Sequence, residues 1–273
     1  MIWGFAGPWY GEYECWKGDQ LERQLDFIVK HGFTSMQIGL NELDDPKRRD
    51  FIAGFVAQHD LRLTTGVHLK TLAPDPAVTQ RQTVDFLEKL RRYKDLLRVP
   101  IVTTGAGAGH RFDRTMPLDE KLDRMAAVFA PLAQGCFELG CPLGIENHGD
   151  FYCSDLVRLC ERVPHMHMFL DTGNTYLIGE KSVEGCADAA PYTIGTHFKD
   201  HYVCPDPGKL TFVLDGAPLG SGDVGLAEVF GILRKKAPDP DNLVMHWELV
   251  TPKGMNPLEC MEKSWEFVRS LER

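Results

Sequence analysis

The chain has 273 residues, a formal net charge of −9, 43% hydrophobic and 25% charged residues. That is ordinary globular composition and excludes general disorder, while the acidic balance weighs against a nucleic-acid partner. The start, Met1 to Pro8, has no basic segment followed by an apolar one, and no run nears the roughly 18 apolar residues of a membrane span. Neither a secretory leader nor a membrane anchor is therefore expected.

Short apolar stretches alternate with helix-period segments along the whole chain. A strand candidate at 2–6 precedes a stripe of Leu21, Leu25, Ile28 and Val29, which Asp19 would cap. A second strand at 35–40 leads to a helix opened by Pro46, with Phe51, Phe55 and Val56 on its apolar face. The third strand, 62–68, is followed by a long stripe of Leu87, Leu90, Tyr93 and Leu97. After a fourth strand at 101–104, the glycine-rich 105–109 reads as a flexible loop rather than a dinucleotide fingerprint, since no helix starts directly after it. Leu122, Met125, Ala126, Phe129 and Leu132 then mark a helix that Pro131 would kink. Strand 143–147 is paired with a short helix at 155–162 after Ser154, and strand 167–171 with a weak helix at 182–190. The seventh strand, 194–198, opens onto a connection at 200–225 rich in Gly, Pro and Asp. A helix after Asp223 carries Leu226, Val229, Phe230 and Leu233. The eighth strand, 244–249, is followed by the stripe Leu258, Met261, Trp265, Val268 and Leu271.

Most of these strands are apolar on both faces, as strands covered on both sides of a parallel sheet should be. Eight βα units in a chain of this length predict one (β/α)8 TIM-barrel domain over 1–273, with a doubly wound open sheet as runner-up. In a barrel the 200–225 connection lies on the functional face, where it is expected to serve as a lid. The eight cysteines are scattered without a Cys-x-x-Cys pair. They read as reduced thiols of a cytoplasmic protein.

In a barrel the functional groups stand at the C-terminal ends of the strands. Those positions hold Glu146, Asp171, His197 and Glu248, on four successive strands. Singly, such a Glu is commonly an ion-pair partner, such a His a satisfied hydrogen-bonding group, and an Asp before Thr-Gly-Asn a turn cap. Jointly, neighbouring strands about 4.8 Å apart bring all four to one point. Three carboxylates there repel one another unless a cation sits between them. One divalent metal ion is expected, with Mn, Mg or Co favoured by the hard donor set and Zn or Fe also compatible.

Glu146-Asn147-His148, Asp171-Thr172-Gly173-Asn174, His197-Phe198-Lys199-Asp200, Pro218-Leu219-Gly220-Ser221-Gly222-Asp223 and Glu248 resemble the xylose isomerase-like TIM-barrel superfamily. Its members include sugar isomerases and epimerases, inosose dehydratases and endonuclease IV. The resemblance is strongest from about 143 to the end of the chain. It implies that Glu146, Asp171, His197 and Glu248 bind the metal, and that Glu146 and Glu248 act as an acid/base pair on opposite sides of a sugar. Where ketose 3-epimerases of the superfamily carry a His, an Arg and a Glu toward the substrate, this chain has Asn174, Val203 and Tyr152. These departures leave the metal set intact and weigh against a free ketose. Endonuclease IV needs further His and Asp ligands that this sequence lacks.

Four further residues are candidate substrate contacts. They are His68 at the end of the third strand, His148 two residues after Glu146, Asn174, and Lys199 on the same strand face as His197. Lys199 could polarise a carbonyl or pair with a carboxylate. Trp3, Phe5, Trp9 and Tyr10 read as core residues before they read as a sugar-stacking surface, and His246 as a barrel-interior residue. The expected activity is a metal-dependent isomerase or epimerase of a sugar or keto-sugar working through an enediolate. A lyase or dehydratase on a keto-sugar or keto-inositol is the first alternative, and a non-catalytic sugar-binding protein the second. No nucleic-acid or membrane partner is expected, and a homo-oligomer is compatible with the sequence.

Overall fold

Glycine at two inward-facing strand positions sets how the interior of this molecule is filled. A Cβ on Gly4 would lie 2.3 Å from the His246 ring, and one on Gly195 would lie 2.5 Å from the Phe169 ring. These bulky inward side chains fit because the neighbouring strands offer no side chain there. The computed structural model describes every residue except 8–11, 18–19, 73–75, 108 and 273. Eight parallel strands close into a barrel in the order β1-β10-β7-β6-β5-β4-β3-β2. They are β1 (Ile2–Phe5), β2 (Ser35–Gln37), β3 (Arg62–Gly66), β4 (Arg98–Gly105), β5 (Leu143–Glu146), β6 (Met166–Asp171), β7 (Thr193–Phe198) and β10 (Val244–Trp247). Helices α1 (Leu21–Lys30), α2 (Pro46–His59), α3 (Pro76–Leu97), α4 (Leu118–Glu138), α5 (Cys153–Arg162), α6 (Ser182–Ala189), α7 (Leu226–Lys236) and α8 (Pro257–Leu271) form the outer layer. This is the (β/α)8 fold expected from the sequence, and the open-sheet alternative is excluded.

The period of two along each strand sorts the side chains. Ile2, Ile101, Phe169 and Val244 make a small apolar plug inside the barrel. Above it, the buried His246 ring sits with Nε2 2.8 Å from the Ser35 hydroxyl. Outward-facing residues join the larger core between strands and helices, where Trp247 meets Phe33 at 4.9 Å and Trp265 at 4.5 Å between ring centroids. Trp3 and Phe5 belong to this core, so neither presents a stacking face to the barrel mouth. Trp9 and Tyr10 lie outside the described residues.

Local expectations needed adjustment in several places. On α2 the buried residues are Ile52 and Val56, and Phe51 is exposed. The α1 N-cap position is Gln20, with no side-chain cap, and Asp19 lies outside the described residues. Helix α5 begins at Cys153, where the Asp155 carboxylate accepts the Tyr152 amide at 3.1 Å. Pro131 sits on an exposed face within α4, where water can satisfy the carbonyl that proline leaves unbonded. Helix α7 is preceded by Gly225 at φ 80°, not by Asp223. All eight cysteines are free. Among the described residues no helix is long and apolar enough to cross a membrane.

The 200–225 connection contains structure that the composition did not suggest. Strands β8 (His201–Pro205) and β9 (Phe212–Gly216) form an antiparallel hairpin beside the barrel. Its base is pinned by the Asp200 carboxylate, which accepts amides from Gly220 at 2.9 Å, Gly222 at 3.0 Å, His201 at 3.0 Å and Val224 at 3.2 Å. A Cβ on Gly222 would lie 2.3 Å from that carboxylate, which accounts for glycine in this turn. Only toward its tip, at Leu210, Phe212 and Val213, does the hairpin expose large apolar side chains.

Candidate metal centre

Glu146 and Asp171 are the last residues of β5 and β6, His197 is next to last in β7, and Glu248 directly follows β10. The barrel brings one ligand atom from each within 4.8 Å of the others. Nδ1 of His197 is 3.0 Å from Glu146 Oε1 and 3.9 Å from both Asp171 Oδ2 and Glu248 Oε2. Three carboxylates and an imidazole nitrogen thus surround one point at the floor of the barrel mouth.

The loop after β6 fixes Asp171 from behind. Its Oδ1 accepts the amides of Gly173 at 2.8 Å and Asn174 at 2.9 Å. Asn147, buried beside it, donates to the Asp171 carbonyl at 2.9 Å and accepts the Asp171 amide at 2.8 Å. The remaining carboxylate oxygen, Oδ2, is buried without a well-aligned hydrogen bond. It lies 2.9 Å from the Lys199 ammonium, which also pairs with Glu248 Oε2. The structure therefore places Lys199 as the partner of two carboxylates.

The electrostatics follow from packing like charges away from water. Burial alone would lower His197, but Glu146, followed by Glu248 and Asp171, raises it from 6.5 to about 9. Burial, then the Asp171 charge, pushes Glu248 from 4.5 up to about 8, against the pull of His197 and Lys199. Burial would raise Asp171 too, but Lys199, a hydrogen bond from Glu248 and the His197 charge bring it below its ordinary value. Without a metal, the cluster thus limits its negative charge by holding protons on His197 and Glu248. Three carboxylates and one imidazole with ligand atoms gathered within 4.8 Å fit a divalent cation.

A cavity of about 630 Å³ stands over these groups, with Glu146, His197 and Glu248 among its lining residues. His68 lies beyond the end of β3, is exposed, and lines this cavity. His148 lies on its rim and also lines a neighbouring pocket of about 290 Å³, to which Asn174 and Lys199 belong. Gly105, Ala106 and Gly107 line the main cavity. Gly107 adopts φ 77° and a Cβ there would lie 1.8 Å from the Leu69 carbonyl oxygen, so this loop is packed closely against the one after β3. Ala108 lies outside the described residues.

Two polar lining residues, Gln37 and Asp150, were not singled out from the sequence. Gln37 ends β2, and its Oε1 accepts the Thr103 hydroxyl at 3.1 Å. Its signal was a second polar residue two positions after inward-facing Ser35. Asp150 reaches the cavity through the turn at Gly149, whose φ is 72°. It accepts amides from Phe151 at 2.9 Å and His148 at 3.3 Å, and burial raises its carboxyl above the usual range. A turn of this kind has no strand period to reveal it.

Comparison with known structures gives neighbours over nearly the full length. A D-psicose 3-epimerase from Clostridium cellulolyticum H10, solved with D-tagatose, aligns with a TM-score of 0.72 at 16% identity, covering 99% of each chain. A xylose isomerase-like TIM barrel protein from Mycobacterium smegmatis, in complex with magnesium, gives 0.68 at 16% identity, covering 98% of this chain and 96% of that one. A probable 3-DHS dehydratase from Bacillus anthracis gives 0.65 at 14% identity, covering 98% and 99%. At such identities the likeness shows the shared fold. A search of curated protein sequences found no match. The family described as xylose isomerase-like TIM barrel matches residues 25–271, and the chain belongs to that family.

Proposed function

We propose that this protein is a divalent-metal-dependent isomerase or epimerase of a sugar or related polyhydroxylated carbonyl compound. The observation that carries the reading is the convergence of Glu146, Asp171, His197 and Glu248 within 4.8 Å beneath a substrate-sized cavity. These four residues would hold the ion. When bound, it supplies Lewis-acid polarisation of a substrate carbonyl and stabilises the negative charge that develops on its oxygen. Epimerase and dehydratase neighbours on the same fold, and one solved with magnesium, support the reading.

The protein's own residues do the rest. Glu146 and Glu248 come from strands on either side of Asp171 and His197, so a substrate over the centre meets one carboxylate on each face. One glutamate removes the proton α to the carbonyl and the other returns a proton. Lys199 anchors Glu248 and Asp171, and Asn147 holds the backbone of Asp171, which limits the freedom of these groups. The same α-proton removal serves a lyase, in which a β-leaving group departs instead. Product analysis separates the two reactions.

The test is turnover of a keto-sugar panel in deuterated water. Deuterium is expected at the reacting carbon of the product or recovered substrate. Glu146→Gln and Glu248→Gln are each expected to lower turnover at least about 10²-fold, the scale of losing a general acid or base. Near-normal turnover in both variants, with metal still bound, would overturn the assignment of these glutamates.

A further inference from the structure

The pocket of about 290 Å³ beside the metal centre holds polar groups that the chemistry described so far does not use. His201, the first residue of β8, is 8% exposed, and neither ring nitrogen makes a well-aligned hydrogen bond, although the Asp215 backbone lies near enough to favour the protonated ring. Asn174 is 3% exposed, and its Nδ2 is likewise unpartnered. Its backbone amide donates to Asp171, which ties this residue to the loop that carries the metal centre. The His201 ring is packed against Gly173, where a Cβ would lie 2.8 Å from it. Glycine at that position is what leaves room for the ring. Buried polar side chains are ordinarily hydrogen-bonded, and two such residues lining one pocket next to a catalytic cavity point to a ligand that supplies the missing partners.

The rest of the lining narrows the chemistry. Leu177, Leu214 and Val250 give the pocket an aliphatic wall. Lys199 is the one lysine or arginine among the described lining residues, and its ammonium is engaged by Asp171 and Glu248. Asp215 also lines the pocket, and its carboxylate accepts the amides of Gly216 and Lys253. Burial, with Lys199 nearby, holds His201 below its ordinary value, so its imidazole is neutral at physiological pH. A neutral imidazole offers one donor and one acceptor, and an amide nitrogen offers donors. An anionic group finds no available cation here, whereas a hydroxylated ring offers hydroxyls to His201 and Asn174 and C–H faces to the aliphatic wall. His148 lines both this pocket and the main cavity, so one ligand can occupy both.

We infer that this pocket is a second subsite, in which His201 and Asn174 bind an uncharged, hydroxylated ring attached to the sugar that reacts at the metal centre. The inference rests on the proposed function and deepens it: the preferred substrate is a glycosylated keto-sugar rather than a free or phosphorylated monosaccharide. His201 and Asn174 act in specificity, and the proton chemistry stays with the glutamates.

The test measures dissociation constants for the magnesium-loaded protein. The probes are D-fructose, D-fructose 6-phosphate and four glucosyl-fructoses with a free ketone: trehalulose, turanose, maltulose and isomaltulose. They place the glucose on different fructose oxygens, so the linkage need not be known beforehand. At least one is expected to bind about tenfold or more tightly than D-fructose. His201→Ala, which removes the polar partner, and Leu214→Trp, which fills the pocket from the hairpin, should each bring that ratio toward one. Circular dichroism verifies folding, and either variant alone suffices if the other misfolds. The inference is overturned if D-fructose binds as tightly as every disaccharide, if D-fructose 6-phosphate binds more tightly than all of them, or if the ratio is unchanged in the folded variants. Those results leave the proposed function standing. Binding of none of the six probes also overturns the inference, and turnover of the keto-sugar panel decides the proposed function separately.

Discussion

Raising the pH of the metal-free protein from 6.5 to about 9 is expected to destabilise it, because His197 rises over that interval on folding. Within the window the folded chain holds a proton on His197 that the unfolded chain has released. Stability then falls by about 1.4 kcal/mol per pH unit for each such proton. The stabilisation from protonated His197 is complete below about pH 6.5 and is lost as the pH passes about 9, which amounts to about 3 kcal/mol. Glu248 acts in the same direction, since it too keeps a proton when folded, from its ordinary 4.5 up to about 8. Asp171 has the opposite sign, but it is lowered, so its contribution is lost only in acid, below its ordinary 3.8. A bound divalent ion takes the place of the protons, so loaded protein should show little of this decline and metal affinity should rise with pH across the same interval. Denaturant titrations at several pH values, with chelator and with magnesium, measure both. His197→Gln should flatten the metal-free profile. Metal-free protein whose stability stayed constant or increased from pH 6.5 to 9 would refute the electrostatic account of the cluster.

Other substitutions separate the parts of the site. Asp171→Ala is expected to abolish stoichiometric metal binding, as measured by elemental analysis after dialysis, because it removes the most buried of the four donors. Asn147→Ala deletes two buried hydrogen bonds to the Asp171 backbone. It should cost about 1–3 kcal/mol of stability and weaken metal binding about 10–100-fold, as loss of a residue that orients a ligand does. Gly4→Ala puts a methyl 2.3 Å from the His246 ring and 2.7 Å from the Ser35 carbonyl oxygen. A loss of about 1–3 kcal/mol is expected in thermal or chemical melts.

How much of this site was legible in the sequence depended on which residues obey a strand period. Glu146, Asp171, His197 and Glu248 all sit at strand ends, where barrel geometry alone dictates their convergence. His197 with Lys199, and His246 with Glu248, are two apart and so share an inward face; the strand pairing of His246 with His197 then stacks these pairs at one level. The partnership of Lys199 could not be read in the same way, because a carbonyl and a carboxylate are both within reach of a long side chain at that position. Its resolution required the distance to Asp171. On α2, the residues 51, 52, 55 and 56 are all apolar, so a helical period alone admits two faces, and docking on the barrel chose the one with Ile52 and Val56. Least legible was everything beyond the strands. Asp150 enters the cavity through a glycine turn, and His201 enters its pocket because β8 pairs with β9 in a register that sets it opposite Gly216. That hairpin is bounded by Gly, Pro and Asp residues whose composition signals only turns. Its fixed base comes from the Asp200 carboxylate gathering four amides, an arrangement that reaches across a sequence separation of 24, from Asp200 to Val224. The candidate metal ligands at strand ends are thus dictated by the barrel, while the groups that would choose among substrates are set by loop geometry, which can vary without disturbing the strand ends.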